Sequence, residues 1–190
     1  KFIFSKVSTA DVAKILVKGE VVGWMNGRME FGARALGSRS IIAHAGDSEV
    51  IKKINDQVKK RDFWMPFAPS IKSDREKDYI INPKNLDARL MTIGFDSTKL
   101  ARREIPAALH PYDYTVRPNV ICKEDNENYY SLLEEFEKLT GIGAILNTSF
   151  NLHGEPVVES PLDAISTFER CGLKYLYVCG WLIQKVNPVQ

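Results

Sequence analysis

Lys59-x-Arg61 and Ser149-x-Asn151 are the residues of this chain whose types and spacing best suit chemistry. Lys59-Lys60-Arg61 closes a charged run, and Ser149-Phe150-Asn151 follows an apolar run that ends at Leu146-Asn147-Thr148. Side chains two apart on an extended backbone point to the same side, so each triplet offers a pair. One pair is cationic; the other joins a hydroxyl to an amide. Brought together they suit a small polyanion with a carbonyl-like head, its charge met by Lys59 and Arg61 and its orientation set by Ser149 and Asn151. A phosphorylated one-carbon donor has that chemistry.

A second concentration lies between Gly27 and Ser40, which is dense in glycine and carries Arg28, Arg34 and Arg39. Glycines let the backbone turn sharply and approach a ligand, and arginines supply forked donors for phosphate or carboxylate. The stretch is not a Walker A loop, since no Gly-Lys-Ser/Thr follows. The competing reading is structural pairing of Arg28 or Arg34 with Glu30 or Asp62. Arg117, two residues after Thr115, is a further anion ligand, with Asp113 as its structural alternative. Lys59 and Arg61 alone read as a solvated basic helix end. The switch to Phe63-Trp64-Met65-Pro66-Phe67-Ala68-Pro69 is what draws them toward the interior. Asn147 and its neighbours follow a strand, where α/β sheets build sites, or else form a polar turn. His44, His110 and His153 have no partner at ligand spacing, so no metal site is expected.

These groups need elements to position them. Ser8-Thr9-Ala10-Asp11 reads as a capping box before Val12, Ile15 and Leu16 at helical spacing. Glu20–Met25 reads as a strand, Glu30–Leu36 as a short helix ending at Gly37, and Arg39–Ala43 as extended. Asp47–Val58 is helical, with Val50, Ile51, Ile54 and Val58 on one face. The prolines of Pro66–Ile71 confine it to an edge strand or a loop. Leu90–Phe95 and Asn119–Cys122 are further strands, and Tyr129–Leu139 is a helix closed by Gly141. Ile142–Leu146 has the continuous apolar character of a central strand. Pro161–Phe168 is a helix opened by proline, and Tyr175–Val178 with Trp181–Ile183 forms a closing hairpin. Asn82–Arg89 and Ala107–Pro118 are the least regular stretches. The pattern is one α/β domain with a mixed, twisted sheet and flanking helices.

With 190 residues, 44% of them hydrophobic and 26% charged, the chain can bury a substantial core. Its net charge of +2 is too balanced for a nucleic-acid or membrane surface. No apolar run reaches the ~18 residues of a membrane span. Cys122, Cys171 and Cys179 are odd in number and widely spaced, which fits buried small hydrophobes in a reducing, cytoplasmic setting rather than disulfides or zinc. The chain opens on Lys1-Phe2-Ile3-Phe4-Ser5, without an initiator Met or a signal-peptide profile, and is expected to be part of a longer polypeptide.

Three motifs then agree. They are the run from Gly27 to Ile41 with Arg34, Arg39 and Ser40; Lys59-x-Arg61 with Pro66-Phe67-Ala68-Pro69; and Leu146–Asn151 with Gly154-Glu155-Pro156. In this order they closely resemble the C-terminal domain of the nodulation-type O-carbamoyltransferases, across nearly all of residues 1–190. That domain is similar to the YrdC fold of enzymes that make threonylcarbamoyl-adenylate. The resemblance implies a YrdC-like mixed sheet that binds and activates carbamoyl phosphate with ATP. The carbamoyl group would pass through a carbamoyl-adenylate to a hydroxyl of a sugar or natural product. It leaves two routes here, release of carbamate or direct formation of the adenylate. An N-terminal domain of the sugar-kinase and actin type, holding the metal and the acceptor, would precede this one.

On this sequence the resemblance assigns the phosphate to Arg34, Lys59, Arg61 and Arg117. The carbamoyl head or phosphate falls to Ser149 and Asn151, with Asn147 in support and Arg39 and Ser40 as second-line ligands. Three positions depart from the family pattern: Met65 stands where an Arg is common, Ala33 where Pro is usual, and Tyr114 where Asp-Gly-Thr-x-Arg has Gly. Two other readings remain alongside. One is a threonylcarbamoyl-adenylate or RNA-binding module, against which the near-neutral charge argues. The other is a non-catalytic domain that binds a phosphorylated metabolite.

Overall fold

A computed structural model describes residues 1–60 and 65–186, and its centre is an eight-stranded mixed sheet. In chain order the elements are β1 (Phe2–Lys6), α1 (Thr9–Val17), β2 (Val22–Met25), β3 (Arg39–Ala43) and α2 (Glu49–Ile54). A π turn (Asn55–Lys59), β4 (Ala68–Lys72), α3 (Glu76–Tyr79), β5 (Ile80–Ile81), β6 (Asp96–Ser97) and α4 (Lys99–Glu104) follow. The chain then forms β7 (Asn119–Ile121), α5 (Glu127–Thr140), β8 (Ala144–Ser149), α6 (Pro161–Arg170), β9 (Tyr175–Val178) and β10 (Trp181–Lys185). The sheet order is β1-β10-β9-β2-β3-β8-β4-β7, with β5 and β6 pairing separately. Only β2–β9 and β4–β7 run parallel within it.

Alternation along buried strands feeds two cores. Val22, Trp24, Ile42, Ile145 and Tyr177 face α1 and α5, against Leu16, Leu132 and Phe136. Met25, Ile41, Ala43, Leu146, Leu176 and Ile183 face the other way, against Ile54, Val58, Ile105 and Phe168. Trp24 stacks on Tyr177 with ring centroids 4.1 Å apart and donates its indole N–H to the Gly37 carbonyl. Burial of each such side chain contributes about 1.5–3 kcal/mol. The helix starts follow sequence. Ser8–Asp11 and Ser160–Asp163 form reciprocal capping boxes, and Gly141 ends α5 in the left-handed region (φ 76°). At the other end of α6, the buried Lys185 ammonium donates to the carbonyls of Phe168 and Cys171, which the helix leaves open. No helix among the described residues is long and apolar enough to cross a membrane.

Four local expectations are corrected. Residues 30–36 form no helix. Gly32 (φ 140°) and Gly37 (φ 101°) lie outside helical space, and one carboxylate oxygen of Glu30 accepts the backbone N–H groups of Leu36, Ser38 and Arg39. β4 is interior, lying between β8 and β7. Its proline is tolerated because β7 joins only from Ser70 onward, so Pro69 has a paired neighbour on one side alone. Leu90–Phe95 is irregular. Only Phe95 pairs, with Val116, and Met91 has a φ of 54°. Finally, Cys171 is buried, but Cys122 is half-buried and Cys179 is exposed in the β9–β10 turn, where its φ is 44°.

Candidate active site

β8 ends at Ser149, and the chain bends immediately afterwards. From the far face, the π turn that prolongs α2 delivers Lys59, which is only 2% exposed. The turn's wider ring buries both Val58 and Lys59, and Lys60 then turns away in the left-handed region (φ 47°). Lys59 therefore sits at a helical end, the placement its basic run also suggested, and not on extended backbone. Its Nζ donates to Ser149 Oγ at 3.2 Å and to Asn151 Oδ1 at 2.6 Å. Ser149 Oγ donates to the same Asn151 oxygen at 2.7 Å, while Asn151 Nδ2 ties down the carbonyls of Leu152 and Glu155. The hydroxyl, the amide and the ammonium thus form one unit. Arg61 lies outside the described residues.

Beside this unit runs a small cleft. Arg34 and Ala35 from the irregular loop, Phe67 and Ala68 at the start of β4, Met91, Arg117, and Asn147 to Ser149 line it. Partial burial, and then the like charge of Arg34, lower the pKa of the Arg117 guanidinium. Neither arginine takes part in an ion pair among the described residues; Asp113 instead accepts from Thr115 and contacts His110. Two cations held together without a carboxylate make a site for an anion. The loop before Arg117 keeps a left-handed turn at Tyr114 (φ 59°), whose ring lies 4.9 Å from the Arg102 guanidinium. A ring in that place has not removed the turn.

Asn147 joins the cleft wall through a buried network. Its Nδ2 donates to the Ala35 carbonyl at 2.9 Å and to Ser70 Oγ at 3.0 Å. Two expected ligands have other work. The guanidinium of Arg39, 4% exposed, donates to the carbonyls of Asn26, Gly27, Ser38 and Glu159, so it holds the loop together. Ser40, opposite Ser149 in the β3–β8 register, is fully buried and accepts the Gly37 N–H. Arg39 and Ser40 thus each have structural partners within the protein. The residues that the sequence did not mark are Ser70, Asn119 and Tyr129, which hold Asn147, and it did not show that Glu30 shapes the arginine-bearing loop. The available signal was a serine between Pro69 and Ile71 in a buried strand.

A second, larger cavity of about 400 Å³ takes its lining from neighbouring positions of the same two loops, around residues 30–38 and 89–90. Phe31, Leu36 and Leu90 supply apolar surface, and Glu30, Ser38 and Asn119 supply polar surface.

Residues 13–185 match the family model described as carbamoyltransferase C-terminus. An uncharacterized protein of Methanocaldococcus jannaschii, MJ1058, is 40% identical over 174 residues, covering 91% of this chain and 28% of its own length. Nodulation protein NolNO of Sinorhizobium fredii is 35% identical over 173 residues, covering 91% of this chain and 25% of its own. The chain thus spans about a quarter of the length of these relatives. Among solved structures, full-length HypF in a phosphate- and nucleotide-bound form superposes with a TM-score of 0.65 at 17% identity, over 97% of this chain and 26% of HypF. YciO of E. coli gives 0.60 at 17% identity, over 90% of this chain and 77% of YciO. Such identities show the fold, which is YrdC-like. By the pattern running from residue 13 to residue 185, the chain belongs to the carbamoyltransferase C-terminus family.

Proposed function

We propose that this chain binds carbamoyl phosphate in the cleft at the end of β8 and activates it within a longer O-carbamoyltransferase. The observation that carries this reading is the Arg34–Arg117 pair, two neighbouring guanidinium groups with no carboxylate partner among the described residues. The phosphate lies between them, and Lys59 stabilises charge on its oxygens. Ser149 and Asn151 orient the carbonyl end. Arg61 joins the cations by its place in the motif.

ATP is the second substrate. Its nucleoside has room in the cavity of about 400 Å³, against Phe31, Leu36 and Leu90. That one fold neighbour is a phosphate- and nucleotide-bound protein, and one relative a nodulation protein, supports the assignment. The hydroxyl acceptor and any metal belong to the remainder of the polypeptide.

Titration calorimetry with carbamoyl phosphate and with ATP tests this function. Saturable binding of both is expected, with carbamoyl phosphate binding lost in the Arg34→Ala/Arg117→Ala double variant. Binding of threonine with ATP, or of tRNA, in place of carbamoyl phosphate would move the chain to a threonylcarbamoyl-adenylate function.

A further inference from the structure

The two carboxylate oxygens of half-buried Glu30 have different surroundings. Oε1 accepts the N–H groups of Leu36 and Ser38, both at 2.7 Å, and of Arg39 at 3.2 Å. Three donors on one oxygen leave it no capacity for a ligand. These bonds draw the far side of the loop back onto residue 30. The exposed span 31–34, which carries Arg34, is strung between that post and Ala35, whose carbonyl Asn147 holds. Little crowds the span, since a Cβ on Gly32 would meet no atom within 4 Å. The aim of Arg34 into its cleft therefore depends on how firmly Glu30 is held.

Oε2 takes no part in those bonds and has no partner among the described residues. Among those residues the only buried side-chain oxygens or nitrogens without a partner belong to Asn55 and Asn147, so Oε2 is open to solvent. Glu30 also lines the cavity of about 400 Å³, beside Phe31 and Leu36. We propose that Oε2 accepts a ribose hydroxyl of the nucleotide, and that this bond steadies the loop so that nucleotide and carbamoyl phosphate bind cooperatively. The inference rests on the proposed function and adds the positioning residue that links its two ligands. An ionised carboxylate only accepts, which suits a ribose diol, and it repels a triphosphate. The sugar rather than the phosphate chain thus belongs at Glu30, with the base against the apolar side chains. Whichever ligand arrives first meets part of the cost of ordering the loop, and the second binds more tightly by the same factor in either order.

The test is calorimetry of carbamoyl phosphate on the wild-type chain, alone and with saturating α,β-methylene-ATP, which resists cleavage at its α-phosphate. The analogue should tighten carbamoyl phosphate binding about fivefold or more. Its 2′,3′-dideoxy form should still bind but leave that affinity unchanged. Glu30→Gln keeps one oxygen for the loop and puts a nitrogen, which cannot accept a hydroxyl proton, in place of the other. In that variant the factor should fall toward one. A residue that only braced the fold would weaken carbamoyl phosphate binding equally with and without nucleotide. A wild-type factor of one with both ligands bound, an equal gain from the dideoxy form, or a full gain in Glu30→Gln would overturn the role of Glu30 alone. Failure of carbamoyl phosphate and the analogue to bind at all would remove the proposed function together with it.

Discussion

Lys59 Nζ donates to Ser149 Oγ at 3.2 Å, although ninety positions separate the two residues. Helical and strand ends, from opposite parts of the chain, meet at one ammonium. The 2.6 Å contact to Asn151 Oδ1 makes a second fixed point, so the charge is held rather than swinging on its four-carbon stem.

Lys59→Met keeps much of the stem and removes the charge. Carbamoyl phosphate affinity should fall about tenfold or more, the size expected for a charge-assisted bond. Calorimetry measures the loss, and a denaturation curve close to wild type shows that the fold is retained. Unchanged affinity would take Lys59 out of the site.

Arg34 and Arg117 are exposed at the cleft mouth, so their attraction for an anion is screened by salt. Phosphate affinity should weaken steadily from about 0.1 M to about 1 M NaCl, as the screening length drops from ~10 to ~3 Å. Arg117→Ala should flatten that dependence as well as weaken binding. A salt-independent affinity would mean that the anion is held elsewhere.

The triplets were legible in the sequence because their spacing survives folding at one end. Ser149 closes a strand, and the hydroxyl and amide meet directly. The place of Lys59 at a basic helix end, drawn inward, was legible, but the π turn that buries it was not, since no residue pattern marks it. Arg39 reads like Arg34 in sequence, yet only the tertiary structure brings four carbonyls to its guanidinium. Strand β4 defeated the proline rule because its second neighbour, β7, begins one residue after Pro69. Glu30 stands in the sequence as one of two alternative ion-pair partners for Arg28 or Arg34, whereas the backbone N–H groups of the loop claim it. The helices were easier, since their caps and apolar stripes are local.

Gly37 has a φ of 101°, and a Cβ there would come within 2.2–2.6 Å of the Tyr129 ring. Gly37→Ala should destabilise the chain by about 3 kcal/mol or more through strain and overpacking combined. Gly27→Ala, with a φ of 62° but open space around it, should cost about 1–2 kcal/mol. Urea unfolding of both variants checks the difference, and equal losses would refute it.

Half-buried His44 accepts the Gly46 N–H on Nδ1 and meets Phe136 edge-on. Burial lowers its pKa below the usual 6.5, partly offset by Asp47. The unfolded chain therefore takes up the proton first as pH falls below about 6.5, and stability drops with it through that window. His44→Asn keeps an acceptor for Gly46 and should flatten the loss of stability between about pH 7 and pH 5. An unchanged pH slope would assign the effect to other groups.

Lys185→Met would leave the carbonyls of Phe168 and Cys171 without their donor at the end of α6. A loss of about 1–3 kcal/mol is expected from unsatisfied buried acceptors. Denaturant unfolding gives the value. Full wild-type stability would show that these carbonyls find another partner.

The most direct measurement is a crystal structure of the chain with carbamoyl phosphate bound. The phosphate should lie within ion-pair distance of both Arg34 and Arg117, with the carbamoyl head directed toward Asn147 and Ser149. Carbamoyl phosphate seated instead among Phe31, Leu36 and Leu90, away from both arginines, would contradict the account.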